Sequence, residues 1–257
     1  MSNIDSSFVH LQSIVLRDVQ PLKIDVLIVH FKQLSNLFSL KIVLFENFHE
    51  DLNTIYEMVF QLSVLKTFQL NISNDNLSRI MLPIANTNQH TSLERMIINH
   101  ELSLNELYHL VSYTPFLRYL ECLTVDHSNN VIGYQLLNLS LHYLKVLNIT
   151  FVDINFNQFE IFLHGYGAKL NSINIKIFDS HDLEYFQGHV WENLLQTYTP
   201  FAKKILIPIG IDLRKERFQQ DAYYSGLNHF SSLRKNKLFL QMNLDLNDIT
   251  ICLKPIK

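Results

Sequence analysis

SLNELYHLVSYTPFLRYLECL, residues Ser103–Leu123, changes its hydrophobic period half-way along. Leu104, Leu107, Leu110 and Val111 stand at i, i+3, i+6 and i+7, which gives a helix one apolar stripe. After Pro115 the period falls to two: in Leu117-x-x-Leu120-x-Cys122 alternate residues share one side of a short strand. The proline marks the change, because it drives the residue before it toward extended geometry. Helix, stop and strand follow one another in a single short run.

The same run recurs. Tyr-Thr-Pro-Phe occurs at Tyr113–Phe116 and again at Tyr198–Phe201, 85 residues apart, close to three units of 28. The L-x-x-L-x-L frame supplies the unit. It reads Leu11-Ile14-Leu16, Leu37-Leu40-Ile42, Leu65-Phe68-Leu70, Leu93-Met96-Ile98, Leu117-Leu120-Cys122, Leu144-Leu147-Ile149, Leu170-Ile173-Ile175 and Ala202-Ile205-Ile207. Successive offsets are 26, 28, 28, 24, 27, 26 and 32 residues, the variation that loop insertions produce. Helical stripes fall between frames, as in Leu52, Ile55, Met58, Val59 and in Phe156, Phe159, Phe162, Leu163. Asp51 and Asn155 precede such stripes as candidate helix caps, better placed than Asn105. The expected unit is strand, loop, helix.

A repeat of this length and frame indicates a leucine-rich-repeat solenoid, in which stacked units share a core that no unit could bury alone. The expected fold class is α/β: a curved parallel β-sheet on the concave face, helices on the convex face and a C-terminal β-hairpin cap. The solenoid is expected over residues 8–210 in about eight irregular units, with residues 211–257 as the capping segment. Within that segment Ile211–Ser231 is charged and irregular. Leu238–Met242 and Ile249–Leu253 alternate around the turn-like Asp245–Asp248 and predict the hairpin.

The frame, the repeat length and the strand–helix alternation resemble the leucine-rich repeats of the ribonuclease-inhibitor and F-box groups. The resemblance covers roughly residues 8–210 and is strongest in Ser103–Leu123 and in FNQFEIFLHGYGAKLNSINI (Phe156–Ile175). It implies a protein-binding scaffold, with a substrate-recognition subunit of a ubiquitin ligase as its most specific form. Two features depart from the group. The eighth residue after each frame's first, usually Asn or Cys, is here Val19, Phe45, Ser73, Glu101, Val125, Val152 or Phe178. Only ten residues precede Leu11, so the helical F-box module is expected to be absent, in a shortened member or a fragment of a longer protein.

Composition narrows the function classes. Of 257 residues 47% are hydrophobic and 18% charged, below the roughly 25% of typical domains. That favours a well-buried core. A net charge of −3 leaves no basic footprint, so no nucleic-acid partner is expected. There is neither a signal-peptide pattern at the N-terminus nor an uncharged apolar run long enough for a span, so an intracellular protein, cytoplasmic or nuclear, with no membrane partner is expected. Two cysteines, Cys122 and Cys252, make neither a disulfide framework nor a four-ligand zinc site, and Cys122 falls at an inward position as a buried thiol.

No metal, nucleotide or nucleophile-elbow motif occurs, and neither cofactor nor enzymatic activity is expected. The histidines, including His100, His109, His181 and His189, show no ligand spacing and read as surface or capping residues. Gly165-Tyr166-Gly167 reads as a helix stop, and Trp191 as a residue packed under its own helix. Counting two, four and six from each frame's first residue gives the row pointing away from the helices. Its polar members include Arg17, Lys41, Thr67, Gln69, Asn71, Arg95, Asn99, Tyr119, Glu121, Asn148, Thr150, Ser172, Asn174 and Lys176. Asn71 and Asn99 share one slot of adjacent units, as do Asn148 and Asn174. Another protein is the expected partner for this face, with Tyr119 and Arg95 as its main anchors, since Tyr and Arg dominate interface energetics. The resemblance adds ubiquitin-ligase components as partners. A ribonuclease-inhibitor-like enzyme inhibitor is the first alternative, disfavoured by the low cysteine count, and an α/β enzyme with an unfamiliar site is the second.

Overall fold

The computed structural model of the chain describes residues 8, 10–17, 21–44, 52–72, 80–126, 141–152, 154–178, 185, 188–199, 201–202, 204–207, 209, 238–245 and 248–255. Eight strands run parallel in sequence order in one open sheet: β1 (Ser13–Arg17), β2 (Ser39–Leu44), β3 (Thr67–Ile72), β4 (Arg95–Ser103), β5 (Tyr119–Asp126), β6 (Val146–Val152), β7 (Ser172–Phe178) and β8 (Lys204–Leu206). Each begins two residues after the first residue of its frame. Five helices are described: α1 (Pro21–Phe31), α2 (Leu52–Phe60), α3 (Leu104–Ser112), α4 (Phe156–Tyr166) and α5 (Gly188–Tyr198). The chain divides into two compact units, Met1–Thr124 with Leu141–Tyr143, and Val125–Ser140 with Leu144–Lys257.

In the N-terminal unit the register is set by the frame. Leu40 pairs with Phe68 and Phe68 with Met96, so equivalent residues stack strand on strand. One backbone device repeats at the strand entrances. The Gln12 carbonyl accepts from the Phe38 and Ser39 N–H groups, Phe38 from Lys66 and Thr67, Lys66 from Glu94 and Arg95, and Glu94 from Arg118 and Tyr119. From β2 to β4 every second strand residue is buried: Leu40, Ile42, Phe68, Leu70, Met96 and Ile98 are all 0% exposed, whereas Ile14 and Leu16 of the edge strand β1 are half-buried. The helices cover this row, and Tyr56 of α2 meets Phe68 edge-on with ring centroids 6.0 Å apart.

Helix α3 starts one residue after Ser103, not at Asn105. Ser103 accepts from the Glu106 N–H, and the Glu106 carboxylate accepts from the Ser103 N–H, a reciprocal cap that satisfies two of the first-turn donors. Asp51 lies outside the described residues. Between β3 and β4 the expected unit fails: among the described residues no α-helix lies there. Ile80–Ala85 instead belongs to neither helix nor strand and leads into a short 3-10 turn, Thr87–Gln89. Side chains of the flanking helices bind its backbone. Glu106 accepts from the Ile80 N–H, Asn53 of α2 accepts from Met81 at 2.6 Å, Ser112 accepts from Ala85 at 2.9 Å, and the His109 ring bonds the Leu82 carbonyl. These bonds answer the demand that a semi-buried irregular segment makes on its surroundings.

The C-terminal unit repeats the scheme. Leu147 pairs with Ile173 and Ile173 with Ile205, and the Lys145 carbonyl accepts from Asn171 and Ser172. Asn155 caps α4 reciprocally with Gln158, as its place before an apolar stripe predicts. The core is aromatic: Phe151 meets Phe162 at 5.1 Å, and Phe156, Phe159, Tyr185 and Trp191 enclose one another at 5.1–6.1 Å. Trp191 is 0% exposed, under its own helix as expected. The hairpin is present as the antiparallel pair β9 (Leu238–Asp245) and β10 (Asp248–Pro255), with β10 in contact with β8. Ile211–Ser231 lies outside the described residues.

Gly167 follows α4, but not as a left-handed stop: its φ of −68° is helical. Glycine is needed there for another reason. A Cβ would stand 2.5 Å from the Tyr198 carbonyl oxygen and 3.2 Å from Thr199 Cγ2, the backbone and side chain of the second Tyr-Thr-Pro-Phe copy. Alanine would gain up to about 1 kcal/mol in helical propensity and lose more to the overlap with backbone. Gly167→Ala is expected to lower stability by a net of about 1–2 kcal/mol in urea denaturation. An unchanged midpoint would mean that this corner relaxes freely.

Candidate binding face

Strand alternation leaves a second row, turned away from the helices. In the N-terminal unit Ser39, Thr67 and Arg95 are successive partners, followed one pleat on by Lys41, Gln69 and Ile97, and then by Val43, Asn71 and Asn99. Arg17 pairs with Val43 on the β1 side. Lys41, Gln69, Asn71, Asn99, Tyr119 and Glu121 are half-buried, and Arg17 and Arg95 are exposed. The Asn71–Asn99 adjacency expected from the frame is therefore present.

Arg95 and Tyr119 meet. The Arg95 guanidinium carbon lies 3.7 Å from the Tyr119 ring centroid, a stacked cation–π contact worth about 0.5–1 kcal/mol where exposed. The Tyr119 hydroxyl donates to the Glu121 carboxylate, which fixes the ring on which the guanidinium rests. Beside this group Gln69 Nε2 donates to Asn71 Oδ1 at 3.1 Å. At the strand entrances Glu94 holds Lys66 at 3.2 Å and Arg118 at 3.4 Å. Those side chains are 36–64% exposed, so the pairs position charge and add little stability.

In the C-terminal unit Asn148 pairs with Asn174, and Thr150 with Lys176. Asn148 and Asn174 are half-buried and Lys176 is exposed, and Asn174 Oδ1 is buried with no hydrogen-bond partner among the described residues. The polar members of the row thus occupy the slots that counting assigns them.

Counting polar residues alone missed the row's apolar members. Val15, Val43 and Ile97 share it in the first unit, and Val146, Val152 and Phe178 in the second. Val15 is 51% and Phe178 44% exposed. The frame contained the signal: Val15, Val43, Ile97 and Val146 stand at the same offsets of two, four or six, and Val152 and Phe178 carry the alternation on to offset eight. The Tyr-Thr-Pro-Phe corner also carries more than a turn: Phe116 is 49% exposed and Phe201 69%, with Phe116 against Tyr143 at 5.9 Å.

One histidine expectation is corrected. His100 is buried, because β4 runs on past its frame to Ser103 and the inward alternation Met96, Ile98, His100, Leu102 continues through it. Tyr56 bonds its Nε2 at 2.7 Å, and its Nδ1 meets the Glu101 carbonyl at 2.9 Å. A carbonyl only accepts, so Nδ1 carries the proton and Nε2 accepts from the tyrosine. Burial pushes the His100 pKa down and those of Tyr56 and the Cys122 thiol up, which keeps all three neutral. They lie inside the core.

A groove of about 730 Å³ lies elsewhere on this unit, with Glu57, His90, Phe60, Tyr113 and Phe116 in its wall. Among the described residues no group of three His, Cys, Asp or Glu side chains is placed to hold a metal ion, and no helix is long and apolar enough to cross a membrane. Compared with known proteins, the chain matches no family model, no curated protein and no solved structure.

Proposed function

We propose that the chain is a non-catalytic protein-interaction scaffold: a leucine-rich-repeat arc whose row of polar and apolar side chains opposite the helices is the concave, partner-binding surface. The observation that carries this reading is the Arg95–Tyr119–Glu121 group. A rigid aromatic with a guanidinium stacked on it stands on the solvent side of a sheet whose other side is filled by its own core. Pre-positioned Tyr and Arg lose little side-chain entropy on binding, which is why they act as anchors. The frame resemblance to F-box leucine-rich-repeat proteins makes substrate recognition for a ubiquitin ligase the specific form of this proposal.

The test is affinity capture with the full chain and with the Arg95→Ala/Tyr119→Ala variant. A partner that binds the wild type and is lost by about tenfold or more from the folded variant supports the reading. Equal capture by both chains overturns this face as the binding surface. Pull-down of the ubiquitin-ligase adaptor tests the specific form, and no binding by this chain or a longer parent removes the ligase link.

A further inference from the structure

The chemistry of the partner follows from which groups on this face are already engaged. Glu94 is occupied by Lys66 and Arg118, and Glu121 accepts from Tyr119, so the nearest carboxylates have donors of their own. Among the described residues Arg95 makes no ion pair. Its guanidinium lies over the Tyr119 ring, and its N–H groups are left for a planar anion. Lys41, one pleat further and two strands away, has no ion pair among the described residues either. Strand spacing and rise place it about 12 Å from Arg95.

The strand between these two cations carries the Gln69–Asn71 amide pair, with Gln69 level with Lys41 and Asn71 one pleat beyond it. The bond from Gln69 Nε2 to Asn71 Oδ1 uses one donor and one acceptor. Left over are the Gln69 carbonyl oxygen, an acceptor, and the Asn71 amide nitrogen, a donor, the complement of a peptide group. Ile97 supplies an apolar floor in the slot next to Gln69.

We infer that this face takes an extended acidic segment of the partner protein, with an Asp or Glu carboxylate on Arg95 and its backbone on Gln69 and Asn71. The inference rests on the scaffold reading and adds the sign and geometry of the ligand. A guanidinium pairs with a carboxylate through two parallel N–H···O bonds, which a lysine ammonium cannot make. Lys41 attracts a second acidic residue further along the segment.

The experiment selects random peptides on the immobilised full chain and sequences the bound pool, with Arg95→Gln and Arg95→Lys chains in parallel. Circular dichroism and thermal midpoints confirm that both variants fold. The expected result is enrichment of Asp and Glu at one position of the selected peptides. A resynthesised acidic peptide should weaken by about tenfold or more on Arg95→Gln, and by a smaller factor on Arg95→Lys, and should dissociate as salt rises. A selected pool without acidic enrichment, enrichment that survives Arg95→Gln, or no peptide bound above the bare support each overturns it. A protein captured through Arg95 and Tyr119 that the acidic peptide fails to displace would retain the scaffold reading and remove the acidic one.

Discussion

Replacing Trp191 with alanine is expected to cost about 3–5 kcal/mol of stability. The indole is fully buried at the centre of an aromatic cluster, with Phe156 perpendicular to it at 5.5 Å and Phe159 at 5.5 Å. Its N–H donates to the Tyr185 carbonyl at 2.9 Å. Truncation therefore removes transfer energy, opens a cavity between rings too rigid to collapse into it, and strips a buried carbonyl of a donor. Trp191→Phe separates these contributions: it keeps most of the volume and loses the hydrogen bond, for about 1–2 kcal/mol. Trp191 is the chain's only tryptophan, so urea denaturation of the variants is followed by circular dichroism. A loss below about 1 kcal/mol for the alanine variant would show that the cluster is not closed around residue 191.

The second large effect centres on Tyr56. Tyr56→Ala is expected to cost about 3–5 kcal/mol, because a fully buried ring between Phe60, Phe68 and His100 disappears. Tyr56→Phe isolates the hydrogen bond. It leaves His100 Nε2 buried without its donor, for about 1–3 kcal/mol.

The same pair makes stability depend on pH. The unfolded chain's histidine titrates near about 6.5, and burial holds the folded pKa of His100 below that value, against the opposing pull of the Glu101 carbonyl and Glu106. Below about pH 6.5 the unfolded state therefore binds more protons than the folded state, and the stability that His100 contributes is lost as pH falls toward its folded pKa. Above that window it is fully present. Denaturation midpoints of wild type and His100→Gln across this range provide the check. If the two chains lose stability in parallel as the pH falls, the acid sensitivity does not come from His100.

How much could be read beforehand differs from residue to residue. Arg95 and Tyr119 stand at the same offset in consecutive frames, so a parallel register brings them side by side without further information. The Asn71–Asn99 and Asn148–Asn174 pairs follow in the same way. The Tyr119–Glu121 bond depended on rotamers, and no spacing rule contains it. His100 was misread because its frame ends two residues earlier, although the alternation through Met96, Ile98 and Leu102 carries on past it. The exposure of Phe116 and Phe201 was missed for the opposite reason. An aromatic before a strand is compatible with burial or exposure, and only what packs there decides between them.

The sequence alone determined the strands, their starts and, from β2 onward, their buried rows, because a period of two and a frame of about 27 residues are properties of neighbours along the chain. It determined the α2, α3 and α4 stripes and the Asn155 cap on the same grounds. Only the tertiary structure decided that the backbone of Ile80–Ala85 is held by Glu106, Asn53, Ser112 and His109. Only it decided that Tyr56 reaches His100, and that Gly167 must be bare to admit the Tyr198 carbonyl. These contacts join residues 26 or more positions apart. Their geometry depends on where separate elements come to rest against one another, and periodicity along one element carries no record of that.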